Sequence, residues 1–167
     1  AIQVEGCTVP TLASDTETTL HARGTTVILK GKITELDVSG TYENKQTLTA
    51  LNVQGLTSLQ KLACSINRLS SIDVRGLTSL QFLSCTRNQL IAEAFTNLLT
   101  DLPMREEKDD AKCVLYSMDS GVTEDNHKDF TSASAPQELK EAFNKAKNEK
   151  KWKMMYTVYG LNVPIYN

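Results

Sequence analysis

Two of the four cysteines, Cys64 and Cys85, lie 21 residues apart in closely matching sequence contexts. A cysteine pair can form a disulfide, bind a metal or carry redox chemistry. If the two residues lie on neighbouring parallel strands, however, the strands are about 4.8 Å apart and the two side chains run side by side. This geometry suits a disulfide poorly, because the Cβ atoms of a disulfide average about 3.8 Å apart. Cysteine also packs well as a small apolar residue. We therefore predict that both thiols are reduced and buried, while the state of Cys7 and Cys113 stays open.

A second group of residues with chemical potential lies in the polar loop 119–127. Its ionisable members are Asp119, Glu124, Asp125 and His127. Together they would suit a hydrolase-like site, although such clusters are common on solvated loops. The sequence contains no Ser or Cys nucleophile motif, no His-x-x-x-His pair and no phosphate-binding glycine loop. We predict that the protein is not an enzyme and that it uses no metal and no cofactor.

A 21-residue repeat between residues 48 and 90 organises the elements that would position these side chains. The pattern Leu-x-x-Leu-x-Cys-x-x-Asn-x-Leu occurs at residues 59–69 and again at 80–90. Repetition at this short period indicates stacked units, and the pattern is that of a leucine-rich repeat with cysteine in one leucine slot. Asn67 and Asn88 are predicted to be buried and to satisfy backbone groups of adjacent units.

The other elements follow from hydrophobic periodicity. A degenerate first unit begins at Ile33 and carries about five extra residues, which we place at 42–46. Strands are predicted at 2–4 (an edge strand), 24–33, 112–118 and 152–159, and amphipathic helices at 91–102 and 137–151. Ser134 followed by Gln137 resembles a capping box for the second helix.

These elements predict an α/β fold with a leucine-rich-repeat solenoid. The solenoid is short, with about three coils and parallel strands on its concave face, and a C-terminal strand–helix–strand cap closes its open apolar end. We divide the chain into an N-terminal polar cap or linker (1–23), the repeat region with its flanking strand and helix (24–103), and the α/β cap (104–167). The cap is expected to belong to the same cooperative domain as the repeats.

Composition argues against several classes of protein. The net charge of −2 and the pI of about 5.7 give no global positive field, so we predict no nucleic-acid partner. No apolar run approaches the roughly 18 residues of a membrane-spanning helix, so we predict no transmembrane segment. The start of the chain, residues 1–4, lacks the basic and apolar blocks of a signal peptide, and we expect a processed or truncated form.

The repeat line, Leu-x-x-Leu-Asp-Val-Ser/Arg-Gly-Leu-Thr-Ser-Leu-Gln-x-Leu-x-Cys-x-x-Asn-x-Leu, resembles the repeats of secreted, internalin-like leucine-rich-repeat proteins of Bacteroides-type bacteria. The helix that ends at residues 98–103 and the Lys-rich helix before Trp152 also resemble the closing region of those proteins. The resemblance covers roughly residues 24–160. It implies an extracellular or cell-surface location, with a removed or separate signal peptide, and a protein or glycan ligand.

Strand alternation directs a set of side chains towards the concave face. These are Glu35, Asp37, Ser39, Lys61, Ala63, Ser65, Phe82, Ser84 and Thr86. Phe82 is the one large apolar residue among them; it is either an interface anchor or a ring that packs under the closing unit. We expect an adhesion-type, non-enzymatic binding module that recognises a protein or glycan on the bacterial surface. The alternatives are a hydrolase-like enzyme with a site at 119–127 and a structural scaffold within a longer protein; the ligand's identity and the oligomeric state stay open.

Overall fold

The computed structural model describes residues 2–13, 16, 18–41, 48–122 and 125–166. The chain forms two compact units, Ala1–Thr34 and Glu35–Asn167. The domain boundaries predicted after residues 23 and 103 stay predictions. The insertion predicted at 42–46 lies outside the described residues.

The first unit is a three-stranded antiparallel sheet. Strand β1 (Ile2–Glu5) lies between β2 (Thr11–Leu12) and β3 (Ile28–Lys30). The strand predicted at the edge is therefore the central one, and the prediction of an edge position is wrong. Gly6, which follows β1, has a φ of +80°, and a Cβ there would clash with the carbonyl oxygen of Thr26, so only glycine fits this turn.

The second unit is built on a six-stranded mixed sheet. Its strands follow chain order: β4 (Glu35–Asp37), β5 (Lys61–Ala63), β6 (Phe82–Ser84), β7 (Lys112–Ser117), β8 (Lys153–Val158) and β9 (Leu161–Pro164). Strands β4 to β8 pair in parallel, whereas β9 is antiparallel to β8. The tight turn between β8 and β9 places Tyr159 and Gly160 at φ values of +48° and +79°.

The predicted leucine-rich-repeat solenoid closed by a separate cap is wrong. Strand β7 pairs in register with β6, Cys113 beside Leu83, and β8 continues the register, Met154 beside Cys113. The segments assigned to the cap therefore extend the sheet instead of covering its end. The physical reason is that the open edge of β6 presents unpaired N–H and C=O groups, which another parallel strand satisfies directly.

The repeats supply the buried side chains on the core face of the parallel sheet, as their alternation predicts. Leu62 and Leu83 are register partners with no solvent exposure, and Cys64 and Cys85 are likewise inaccessible. All four cysteines, including Cys7 and Cys113, are free and buried. The prediction of reduced, buried thiols at positions 64 and 85 is confirmed.

Buried asparagines bond neighbouring segments to each other just beyond the C-terminal ends of the parallel strands. Asn88 Nδ2 donates to the carbonyl oxygens of Cys64 (3.0 Å) and Cys85 (2.9 Å). Its Oδ1 accepts the backbone N–H of Leu69 at 3.0 Å. Asn67 repeats this arrangement one strand earlier, with bonds to the carbonyl oxygens of Val38 and Cys64. The predicted role of the two asparagines is confirmed.

Two α-helices are present among the described residues of the second unit, α1 (Ala92–Asp101) and α2 (Gln137–Asn148), which pack against each other. The predicted capping box at α2 is wrong, because the N-cap is Pro136 and no side chain caps it. Ser134 instead donates its hydroxyl to Asp129 at 3.3 Å. None of the helices that the structure describes is long and apolar enough to cross a membrane.

A single buried phenylalanine joins the helices to the sheet. Phe130 is 2% exposed, and its ring centroid lies 5.0 Å from that of Phe95 on α1 and 5.5 Å from that of Phe143 on α2. It also stacks on Tyr116 of β7 at 5.9 Å. The aromatic cluster therefore attaches both helices to the sheet at β7.

Candidate binding face

One row of side chains crosses the parallel part of the sheet near the start of its strands. The row, called here the lysine row, consists of Glu35, Lys61, Phe82, Lys112 and Lys153, each the register partner of the next. Neighbouring strands lie about 4.8 Å apart, so the row spans roughly 19 Å. Because the backbone ladder holds every member, the relative positions of the side-chain stems are set before any partner arrives.

Lys61 contacts both of its neighbours in the row. Its Nζ lies 3.7 Å from Glu35 Oε2 and 5.8 Å from the centroid of the Phe82 ring. An ammonium group at that distance is attracted by the negative face of the ring. One face of the half-buried Phe82 ring is therefore occupied by a cation.

The other two lysines share one carboxylate. Asp110 accepts a 2.6 Å contact from Lys112 Nζ and also pairs with Lys153. Hydrogen bonds from these two ammonium groups lower the pKa of Asp110 to about 2. The Lys112, Lys153 and Asp110 side chains are 36%, 60% and 50% exposed, so solvent screens these pairs and each contributes little to stability.

The neighbouring row on the same face is mostly buried. Its register partners are Asp37, Ala63, Ser84, Val114 and Met155. Ala63 and Met155 are each 8% exposed and Val114 has no exposure, whereas Asp37 is exposed and Ser84 is half-buried. The accessible part of this face is therefore mainly a strip along the lysine row, with Asp37 and part of Ser84 beside it.

The structure brings some of the predicted face residues together and separates others. Glu35, Lys61 and Phe82 share the lysine row. The hydroxyls of Ser65 and Ser84 bond to each other at 2.9 Å. Thr86 is only 5% exposed and does not contribute a surface hydroxyl, which differs from its predicted outward position.

The structure also differs from the predicted concave face at Ser39 and at two lysines that were not predicted. Ser39 Oγ accepts the backbone N–H of Ser65 at 3.1 Å, so it serves the chain's own backbone. Sequence reasoning missed Lys112 and Lys153, although each stands at the start of a strand that the pattern predicted. Their alignment with Lys61 depends on strand pairing, which the pattern did not reveal.

The acidic loop that suggested a hydrolase-like site uses its carboxylates internally. Asp125 accepts the backbone N–H groups of Arg87 and Ser117, both at 2.8 Å, and its side chain is 3% exposed. Asp119 forms a largely buried ion pair with Arg87. Glu124, the fourth candidate, lies outside the described residues.

His127 and the cleft next to it are also engaged in local structure. His127 Nε2 contacts the carbonyl oxygen of Asp129 at 2.6 Å, and its ring packs edge-on against Phe130. An open cleft of about 460 Å³ lies between residues 88–91 and 125–127. The Asn88 and Asp125 side chains in its lining bond to the backbone, as described above, so these two polar groups are already engaged.

Burial keeps the thiols of Cys64, Cys85 and Cys113 in their protonated, unreactive form. Burial raises the pKa of Cys64 to about 12 and also raises the pKa values of Cys85 and Cys113. The thiolate is the reactive and metal-binding form. In the part of the chain that the structure describes, no three His, Cys, Asp or Glu side chains are grouped to hold a metal ion.

The chain matches no protein-family model, no curated protein and no solved structure at a significant level.

Proposed function

We propose that this protein is a non-enzymatic binding module whose contact surface is the lysine row. Its partner is a protein or glycan met at the bacterial cell surface or outside the cell, the location that the resemblance of the repeats implies. The observation that carries the proposal is the in-register alignment of Lys61, Phe82, Lys112 and Lys153 across four adjacent strands.

Two physical arguments support this use of the row. A ladder of backbone hydrogen bonds holds the stems in place, so binding costs less conformational entropy than it would on a loop. The row also combines exposed cations with a central ring, a mixture that anchors interfaces between polar surfaces. By contrast, Asp119, Asp125 and His127 are engaged by the chain itself, which gives the hydrolase alternative no geometric support.

Binding can be tested with a printed glycan array and a displayed library of short peptides, both probed with the full chain. Phe82→Ala should weaken any selective binding by about 1–3 kcal/mol, because it removes the central ring of the row. Lys145→Gln is the matched control, since it removes a cation from the exposed face of α2. Selective binding that Phe82→Ala and Lys61→Gln leave unchanged would exclude the row as the contact surface.

Stability must be measured on the same variants. If Phe82→Ala lowers the melting temperature strongly and spares binding, the ring belongs to the interior. The surface location can be tested separately by protease treatment of intact cells that produce the natural gene product. Protection of the protein until the cells are lysed would contradict that location.

A further inference from the structure

We propose, resting on the proposed function, that the partner of the lysine row is an extended, acidic polypeptide segment and not a sugar. The inference follows from the width of the exposed strip, the spacing of its cations and the state of its aromatic ring.

The strip suits a linear ligand. In the row beside it Ala63, Val114 and Met155 are at most 8% exposed, whereas Asp37 is exposed and Ser84 is half-buried. At β7 and β8 a partner therefore reaches this face mainly along the lysine row, across the strands. From Lys61 to Lys153 this line covers three strand spacings, roughly 14 Å, which is the length of about four or five extended residues.

Cations outnumber carboxylates at one end of the strip. Among the ion pairs of the row, Lys61 pairs with Glu35, whereas Lys112 and Lys153 share the single carboxylate of Asp110. A further exposed carboxylate on this face, Asp37, lies on β4, at the opposite end of the row from Lys112 and Lys153. The cation excess is therefore at the β7 and β8 end, in a chain whose net charge is −2. Each ammonium group has three donors, and the ion pair that each lysine forms in the row uses one of them. Carboxylates of a partner can take the remaining donors, at the same kind of distance as the 2.6 Å contact between Lys112 and Asp110.

The ring of Phe82 argues against a sugar. A pyranose packs its apolar face flat against an open aromatic face. One face of Phe82 already lies under the ammonium group of Lys61, 5.8 Å from the ring centroid, and the ring is half-buried. The ring edge and the lysine stems are left to contact the aliphatic part of a peptide side chain.

The experiment uses the full chain and three labelled probes in fluorescence anisotropy at low and at physiological salt. The probes are a ten-residue peptide of alternating Glu and Thr, the same peptide with Gln in place of Glu, and an oligomer of galacturonic acid. We expect binding of the Glu peptide at least tenfold tighter than that of the other two, and weaker binding at higher salt because screening weakens exposed charge pairs.

Variants locate the contact. Lys112→Gln combined with Lys153→Gln should weaken binding of the Glu peptide at least tenfold, whereas Lys145→Gln should change it less than twofold. Asp110→Asn should tighten binding about threefold or more, because it releases two lysines from an internal carboxylate. Each variant is first shown by circular dichroism and thermal melting to be folded. The single variant Lys112→Arg, which keeps the charge, should bind the Glu peptide as tightly as the unchanged chain does.

Failure of this inference is distinguishable from failure of the proposed function. Preference for the galacturonate probe, lost in the double lysine variant, would overturn the acidic-peptide inference and leave a binding role for the row. Equal loss of peptide binding in the double variant and in Lys145→Gln would overturn the inference as well, since it would indicate nonspecific attraction. Absence of row-dependent binding to these probes and to the arrays would overturn both.

Discussion

The side-chain amide of Asn126 donates hydrogen bonds of 2.7 Å to the carbonyl oxygens of both Cys85 and Leu115. It thereby bridges β6 and β7, two strands whose backbones pair in parallel. Its Oδ1 accepts the backbone N–H of Leu90 at 3.0 Å. Asn126 thus repeats the bonds of Asn67 and Asn88, although it belongs to a loop outside the sequence repeat.

Replacing Asn126 with Ala should lower the free energy of unfolding by at least about 2 kcal/mol. The buried Leu90 N–H and Leu115 carbonyl lose their bonds to Asn126, whereas the Cys85 carbonyl keeps its bond from Asn88. Each buried group left without a partner costs about 1–3 kcal/mol. Asn52→Ala is the control, because Asn52 is exposed and its Oδ1 accepts only the N–H of Gln54 among the bonds described. Urea denaturation measures both variants, and equal losses would contradict the role of Asn126.

Lys150→Met should destabilise the protein by about 1–3 kcal/mol while keeping the aliphatic stem in place. The Lys150 ammonium group donates to the carbonyl oxygens of Thr100 and Leu102, the latter at 2.7 Å, at the C-terminal end of α1. A cation there also opposes the negative end of the helix dipole. Thermal melting measures the loss, and Lys145→Met, on the exposed surface, should have little effect.

Thiol labelling and alkaline stability test the buried cysteines together. A thiol reagent at pH 8 should react slowly with Cys64, Cys85 and Cys113 in the native protein and rapidly in denaturant. Rapid native labelling of these three, or a disulfide between any two of them, would contradict the structure.

The pH dependence follows from the raised pKa of each buried thiol. An unfolded thiol ionises near pH 8.5, whereas burial raises the pKa of Cys64 to about 12. Above pH 8.5 the folded state therefore holds more protons than the unfolded state, and stability falls as pH rises. For Cys64 the loss should reach about 2 kcal/mol at pH 10. Cys64→Ala should show a shallower fall with pH in urea denaturation, and an unchanged slope would refute the assignment.

Deleting residues 104–167 should leave an unfolded or aggregating product. The deletion removes β7 to β9 and exposes the full edge of β6, and it also removes Asn126 and Phe130. Deleting residues 1–34 is the comparison, since it leaves the six-stranded sheet complete. Circular dichroism and size-exclusion chromatography report the outcome. A soluble 1–103 fragment with a sharp melting transition would show that the repeats fold independently.

Local pattern was enough to predict much of the interior. The alternation around Leu62 and Leu83 determines which side chains are buried, and the 21-residue period determines that these two leucines are neighbours. The same period predicted the bonding of Asn67 and Asn88. Both helices and strands β7 and β8 were also predicted, because each carries its own hydrophobic period.

The sequence by itself therefore determined which short elements form and which of their faces are apolar, since propensity and periodicity act within a few residues. Only the tertiary structure decided that β7 completes the edge of β6, that Asn126 and Phe130 enter the core from a polar loop, and that Lys112 and Lys153 align with Lys61. These relationships join residues far apart in the chain. They arise because an open strand edge and a buried carbonyl group must each find a hydrogen-bond partner. A single residue in a polar loop belongs to no periodic pattern, so the sequence does not reveal which buried group it will bond.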